Sequence, residues 1–156
     1  MFDDEPYLRR AIELARAVVP GSGDLPFGAV VSLDGELLGE SGNHVGTLTD
    51  PSAHAEILAL RAAARVLGRS TLSGAVLYSS GEPCPMCLAA CYWARIERVV
   101  HAADLVDAAE YGFEDEAFYR QLGLPKRDRS LRVEDAGRPW HSEAVAAFAF
   151  WCRAVR

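Results

Sequence analysis

His54-Ala55-Glu56 and, further on, Pro83-Cys84-Pro85-Met86-Cys87 constrain this chain more than any other feature, because they oblige two separated segments to meet at one point. The reason is coordination chemistry. Zinc is held tetrahedrally by Cys and His, and a catalytic site keeps one of its four positions open for water. His54, Cys84 and Cys87 fill three positions. Glu56 fits poorly as a ligand and well as the group that takes a proton from that water and returns it to a leaving group.

The spacing says how the fold must present these groups. Cys84 and Cys87 stand three apart, so both thiolates reach one ion from the same helix face, and Pro85 suits a first helical position. The amino-terminal end of that helix also favours ionised thiols. His54 and Glu56 stand two apart and do not share a helix face, so the site must wrap around the end of their helix. A structural zinc closed by Cys91 is the competing arrangement, but Cys91 lies a turn beyond Cys87, and structural sites bring paired spacings from both halves. Cys91 and Cys152 are then free thiols, and Met86 is a packing residue, since thioethers bind zinc weakly. His44, His101 and His141 lack partners in sequence and read as surface or core residues.

Composition narrows the class of substrate. At 156 residues and 50% hydrophobic, the chain fits one domain, residues 1–156. It contains no apolar run long enough to span a bilayer, and Asp3, Asp4 and Glu5 stand where a secretory signal would be basic, so a cytoplasmic location is expected. A formal net charge of −6 weighs against general affinity for polyanions and favours a small substrate. The cluster of Lys126, Arg127, Arg129 and Arg132 reads as a solvated loop.

Leu8, Ile12, Ala15 and Val19 predict an amphipathic helix that stops at Pro20-Gly21. Phe27 to Leu33, the Asp34-Gly35 turn and Glu36 to Gly39 predict a hairpin. A helix is expected from Asp50-Pro51-Ser52 to Leu67-Gly68, with Asp50 or Ser52 as its cap. A buried strand over Ala75 to Ser79, the cysteine helix through Trp93, and a strand over Arg98 to Ala102 follow. Glu114 to Leu122 should be helical, Leu131 to Glu134 a last strand, and Ser142 to Val155 a closing helix. That order implies a mixed sheet covered by helices. Gly21-Ser22-Gly23 lacks the spacing of a dinucleotide fingerprint.

Other residues have two readings on sequence alone. Asn43 offers an amide that both donates to and accepts from a nucleobase edge, or else serves as a turn residue beside Gly42. Phe27 and Trp93 offer stacking faces for a planar ring, though core packing is the ordinary role of each. Asp115 reads as a helix cap.

Pro26-Phe27-Gly28-Ala29 through the Asn43 segment, DPSAHAEILAL, EPCPMCLAACYWAR and DAAEYGFEDEAFY together resemble the bacterial guanine deaminases of the cytidine-deaminase-like fold. H-x-E with P-C-x-x-C belongs to the whole zinc deaminase superfamily, so it assigns chemistry and not substrate. The resemblance implies an α/β fold of three layers (α/β/α), with a central mixed sheet of about five strands, and one Zn2+ per chain. It implies that His54, Cys84 and Cys87 hold the metal, that Glu56 shuttles the proton, and that Asp115 engages the base and aids proton transfer. Asn43, Phe27, Trp93 and Ala55 join Asp115 at the substrate. Guanine, converted to xanthine and ammonia, is the expected substrate. Guanosine, cytosine-like pyrimidines and aminated triazines are the alternatives, followed by tRNA adenosine, and by a zinc-stabilised binding module without activity.

Two departures from the family pattern stand out. Gly81 occupies a position where the relatives often carry cysteine, which is expected to enlarge or reshape the pocket. The chain ends Arg153-Ala-Val-Arg156, without the terminal aromatic that some relatives place over a neighbouring active site. The resemblance implies a homodimer, with the carboxy-terminal helix at about 142–155 packed on, or exchanged with, a partner subunit.

Overall fold

The Asp34-Gly35 turn sets the first part of the architecture. Both residues adopt positive φ, 52° and 83°, the geometry of a tight two-residue hairpin whose twist matches its strands. It joins β1 (Gly28–Leu33) to β2 (Glu36–Gly42), with a register shift between Val31 and Ser32. The structure is a computed structural model and describes residues 4–138 and 140–155. Ahead of the hairpin lies α1 (Glu5–Arg16), with a proline at its start. After it come α2 (Val45–Leu48), α3 (Ala55–Leu67), β3 (Val76–Gly81), α4 (Pro85–Ala94), β4 (Arg98–Ala103), α5 (Leu105–Glu110), α6 (Asp115–Gly123), a 3-10 turn (Lys126–Asp128) and α7 (Trp140–Ala154).

The sheet runs β2-β1-β3-β4. β1 is antiparallel to both β2 and β3, while β3 and β4 are parallel, a pairing that needs a crossover and receives one in α4. Side chains alternate across the sheet. Ala29, Val31 and Leu77 face Ala55, Ala59, Leu60 and Ala63 of α3 and Cys91 of α4. Val30 and Tyr78 face the opposite way, against Ala11 of α1. Two glycines let the helices settle close to the strands. A Cβ on Gly28 would strike the backbone of Ala11 and Ala15, and one on Gly39 the backbone of Ala59 and Ala63. Asp4 ties the start of α1 to the sheet, accepting hydrogen bonds from Arg98 at 2.6 and 2.9 Å and from the Tyr78 hydroxyl at 2.9 Å.

The mixed sheet between helices agrees with the sequence reading, but the described residues form four strands rather than about five. Leu131 to Glu134 forms no strand, and Leu131 and Val133 are exposed. Alternation there lacks a partner to cover it. The helices α2 and α5 were not expected. For α5 a signal existed, since Asp104 and Asp107 form a reciprocal capping box at its start. The first helix ends at Arg16, short of the predicted stop, and Val19 is exposed.

The chain divides into two compact units, one up to residue 120 and one from residue 121 onward. In the second, Arg129 donates to the carbonyls of Leu122 and Leu124, each at 2.9 Å, and Ser130 donates to the Gln121 side chain. The helix α7 in this unit exposes Phe148, Phe150 and Trp151. Among the described residues, no helix is long and apolar enough to cross a membrane.

Candidate active site

Two helix starts converge here. His54 immediately precedes α3 with extended backbone (φ −66°, ψ 151°), and Cys84 precedes α4 in the same way (φ −63°, ψ 168°). His54 Nδ1 lies 3.6 Å from the sulfur of Cys84 and 3.6 Å from that of Cys87, and the three ligand atoms all lie within 4.8 Å of one another. Nitrogen and sulfur bound tetrahedrally to zinc at ordinary bond lengths lie roughly 3.6 Å apart. The donor set therefore fits zinc in type and in spacing, and these residues would hold one ion per chain.

His54 falls at a helix end for a local reason. Thr49 is left-handed (φ 51°), and the Asp50 carboxylate accepts from the backbone nitrogen of Ser52 at 2.8 Å and its hydroxyl at 2.7 Å. Those bonds hold 50–52 in a turn instead of a helix. The helix thus begins at Ala55, later than the predicted Asp50-Pro51-Ser52 start, and neither Asp50 nor Ser52 caps it. Glu56 sits in its first turn, as the requirement to wrap around the helix end demanded.

The two thiols behave as an unequal pair. The hydrogen bond from Cys87, with help from His54, brings the Cys84 thiol down to about 4, whereas donating to Cys84 and being buried push Cys87 up. A bound cation would allow both sulfurs to ionise. The Cys84 sulfur in turn raises His54. Cys91, the alternative fourth ligand, is a buried free thiol pushed up to about 12 chiefly by burial. It does not belong to the ligand cluster.

Glu56 is 5% exposed. One carboxylate oxygen accepts from the Ser79 hydroxyl at 3.2 Å, and the other lies 3.5 Å from the Cys87 sulfur. Burial pushes its carboxyl up, the shift that suits a group meant to take and return a proton near neutral pH.

A cavity of about 450 Å³ opens over these groups, lined by His54, Glu56, Cys84, Leu25, Phe27, Glu82 and the segment from Gly112 to Asp115 with Phe118. Phe27 and Phe113 meet edge to face, their centroids 5.0 Å apart and their planes at 70°. Gly81 explains how Phe27 takes this place. A Cβ there would stand 3.1 Å from the Phe27 ring, so the volume freed by the missing side chain goes to the phenylalanine rather than to open pocket. Asp115 is half-buried, and burial, followed by the negative charge of Cys84, raises its carboxyl.

Asn43 is 1% exposed. Its side-chain oxygen accepts from the backbone nitrogens of Leu25 and Val45, each at 3.1 Å, which fixes the orientation of the amide. Among the described residues, its nitrogen has no partner. A buried donor left over in this way is what a ligand-reading residue offers, though Asn43 does not itself line the cavity. Ala55 is fully buried in the core beneath α3. Trp93 lies in the last turn of α4, at the end remote from the cysteines, is 86% exposed and does not line the cavity. The structure thus gathers His54, Glu56, Cys84, Cys87, Phe27 and Asp115, and ties Asn43 to the backbone of Leu25, which lines the cavity. It keeps Ala55 between His54 and Glu56 with its side chain in the core, while Trp93 stands at the far end of α4. Sequence reasoning did not single out Ser79, Glu82 or Tyr119. Glu82 carried one signal, its place next to the cysteine motif.

Residues 1–103 match the model of the cytidine and deoxycytidylate deaminase zinc-binding region. The chain is 46% identical over 127 residues to the guanine deaminase of Bacillus subtilis, an alignment covering 81% of each protein. A stretch that long in a chain of 156 residues takes in everything from about residue 31 to about residue 126, Asp115 and Tyr119 included. The X-ray structure of guanine deaminase from Bacillus subtilis superposes with a TM-score of 0.88 at 41% identity, covering 95% of this chain and 94% of that one. Similarity to the tRNA-specific adenosine deaminase of Agrobacterium fabrum is 44% over 95 residues, 59% of this chain and 62% of that protein.

Proposed function

This chain belongs to the cytidine and deoxycytidylate deaminase family, and we propose that the amine it removes is that of guanine, with water consumed and xanthine and ammonia formed. It is a zinc-dependent hydrolytic deaminase; the substrate is the step we add. The observation that carries it is the reach of the guanine deaminase similarity through the start of α6, where Asp115 lines the same cavity as His54 and Glu56. Bound zinc supplies the acidification of a water molecule at the mouth of the two helices.

The chain's own residues do the rest. Phe27 and Phe113 form an apolar slot for a planar ring. Asn43 presents an N–H donor and therefore prefers a base edge that accepts. Asp115 accepts from the N–H groups that guanine carries along its amine-bearing edge. Glu56 takes the first proton of water in a site shielded from solvent and delivers it to a ring nitrogen, then takes the second, from the hydroxyl now on the ring carbon, and passes it to the departing amine. Ser79 keeps the Glu56 carboxylate oriented during the transfer.

Incubation of the zinc-loaded protein with guanine should release ammonia and xanthine in equal amounts. No ammonia at high enzyme concentration rejects guanine, and a panel of guanosine, cytosine and aminated triazines then identifies the substrate. The tRNA-specific adenosine deaminases supply a second reading through their 44% identity. It requires salt-sensitive RNA binding in a gel shift, which a net charge of −6 opposes. We further read the protein as cytoplasmic and homodimeric. The exposed aromatics Tyr92 and Trp93 of α4, and Phe148, Phe150 and Trp151 of α7, support self-association, and light scattering should give twice the chain mass.

A further inference from the structure

We propose that Tyr119 is a positioning residue that holds Asp115 over the substrate cavity by fastening α6 to the metal-bearing loop. The proposal rests on the reading of Asp115 as a substrate-facing group. Asp115 opens α6 and Tyr119 stands four residues later, so the two share one helix face a turn apart. The Tyr119 hydroxyl donates to the carbonyl of Pro83 at 2.8 Å, and Pro83 is bonded directly to Cys84. Burial pushes the phenol up to about 12, so the hydroxyl keeps its proton and remains a donor across the neutral range.

No hydrogen bond of its own steers Asp115. Among the described residues its carboxylate accepts no hydrogen bond, and Glu116 and Arg120 bond to one another within the helix. No residue of α6 is fully buried. Its first turn is therefore located by half-buried packing, by the Phe27–Phe113 pair just ahead of it and by the Tyr119 bond. Since that bond ends one residue from a metal ligand, it fixes the separation between Asp115 and the Cys84 sulfur, and with it the span that a bound base must fill.

The test is a double-mutant cycle on Tyr119→Phe and Asp115→Asn, using whichever base the wild-type enzyme deaminates fastest. Failure of guanine as substrate therefore leaves the test intact. Tyr119→Phe should retain zinc and a near-wild-type melting temperature while kcat/KM falls about tenfold. In the Asp115→Asn background the same change should cost less than about twofold, because the residue it positions is already disabled. Where the double variant turns over too slowly to follow, affinity for the deaminated product gives the same comparison. An equal loss in both backgrounds, or no loss in either, overturns the proposal. Loss of zinc on Tyr119→Phe also overturns it, since the hydroxyl would then serve the metal loop and not Asp115.

Discussion

The two sides of the cavity are built differently. On one side, the starts of α3 and α4 set His54, Glu56, Cys84 and Cys87 among buried atoms, backed by Ser79 at the end of the central strand β3. On the other, the start of α6 presents Asp115 from a helix without a single buried residue, tied to the first side by one hydroxyl and one aromatic pair. The difference separates two tasks. Proton transfer tolerates little displacement and is set on rigid elements. On the proposed function, choosing a base falls to a wall that can be altered without dismantling the metal site.

Substitutions can break this division, and the largest effect belongs to the first wall. Cys84→Ser should lose the metal and all measurable turnover, because a three-ligand site that drops a thiolate loses most of its affinity; zinc per chain by elemental analysis checks it. On the second wall, Asp115→Asn should keep a full complement of zinc while kcat/KM falls on the order of a hundredfold, because the amide keeps one acceptor oxygen but loses the charge and sets a donor against a substrate N–H. Zinc loss in that variant would show that the walls are not separable. Gly81→Ala sharpens the comparison from between them. Its new Cβ, 3.1 Å from the Phe27 ring, should shift the ring and raise KM about threefold, with kcat changed little. Adding Phe27→Leu should restore part of the loss.

A contact remote from both walls gives the smallest effect and serves as the control. The Arg98 hydrogen bond brings the Asp4 carboxyl down to about 2. A carboxyl lowered on folding contributes stability that is present above its ordinary range and disappears as pH falls toward 2. Asp4→Asn should therefore lower the melting temperature slightly at pH 7, the gap should close as the pH approaches 2, and kcat should not change.

The same division decides what could be read from the sequence. Metal chemistry demands particular residue types at particular spacings, so His54, Cys84, Cys87 and Glu56 were legible, as was the need for the site to wrap around a helix end. The hairpin was legible because Asp34-Gly35 has few other uses. The start of α3 was misplaced because hydrogen bonds within Asp50-Pro51-Ser52 compete with the helix, a contest that composition does not reveal. Leu131 and Val133 alternate like a strand but have nothing to cover them. Trp93 suggested a stacking face, and within the single chain its ring is exposed at the end of α4 remote from the cysteines. Tyr119 went unnoticed because its value lies in the Pro83 carbonyl, a partner that only the folded chain supplies. Gly81 suggested an enlarged or reshaped pocket, and the Phe27 ring stands where a side chain at that position would be.

The account stands most directly on Glu56 as the proton carrier beside an intact metal site. The measurement is ammonia release from guanine by the wild-type protein and by Glu56→Gln, with zinc determined on the same samples. We expect equal zinc in both, ammonia and xanthine from the wild type, and a rate at least about a thousandfold lower from the variant. Comparable ammonia release from Glu56→Gln, or none from the wild type with its zinc in place, would contradict the account.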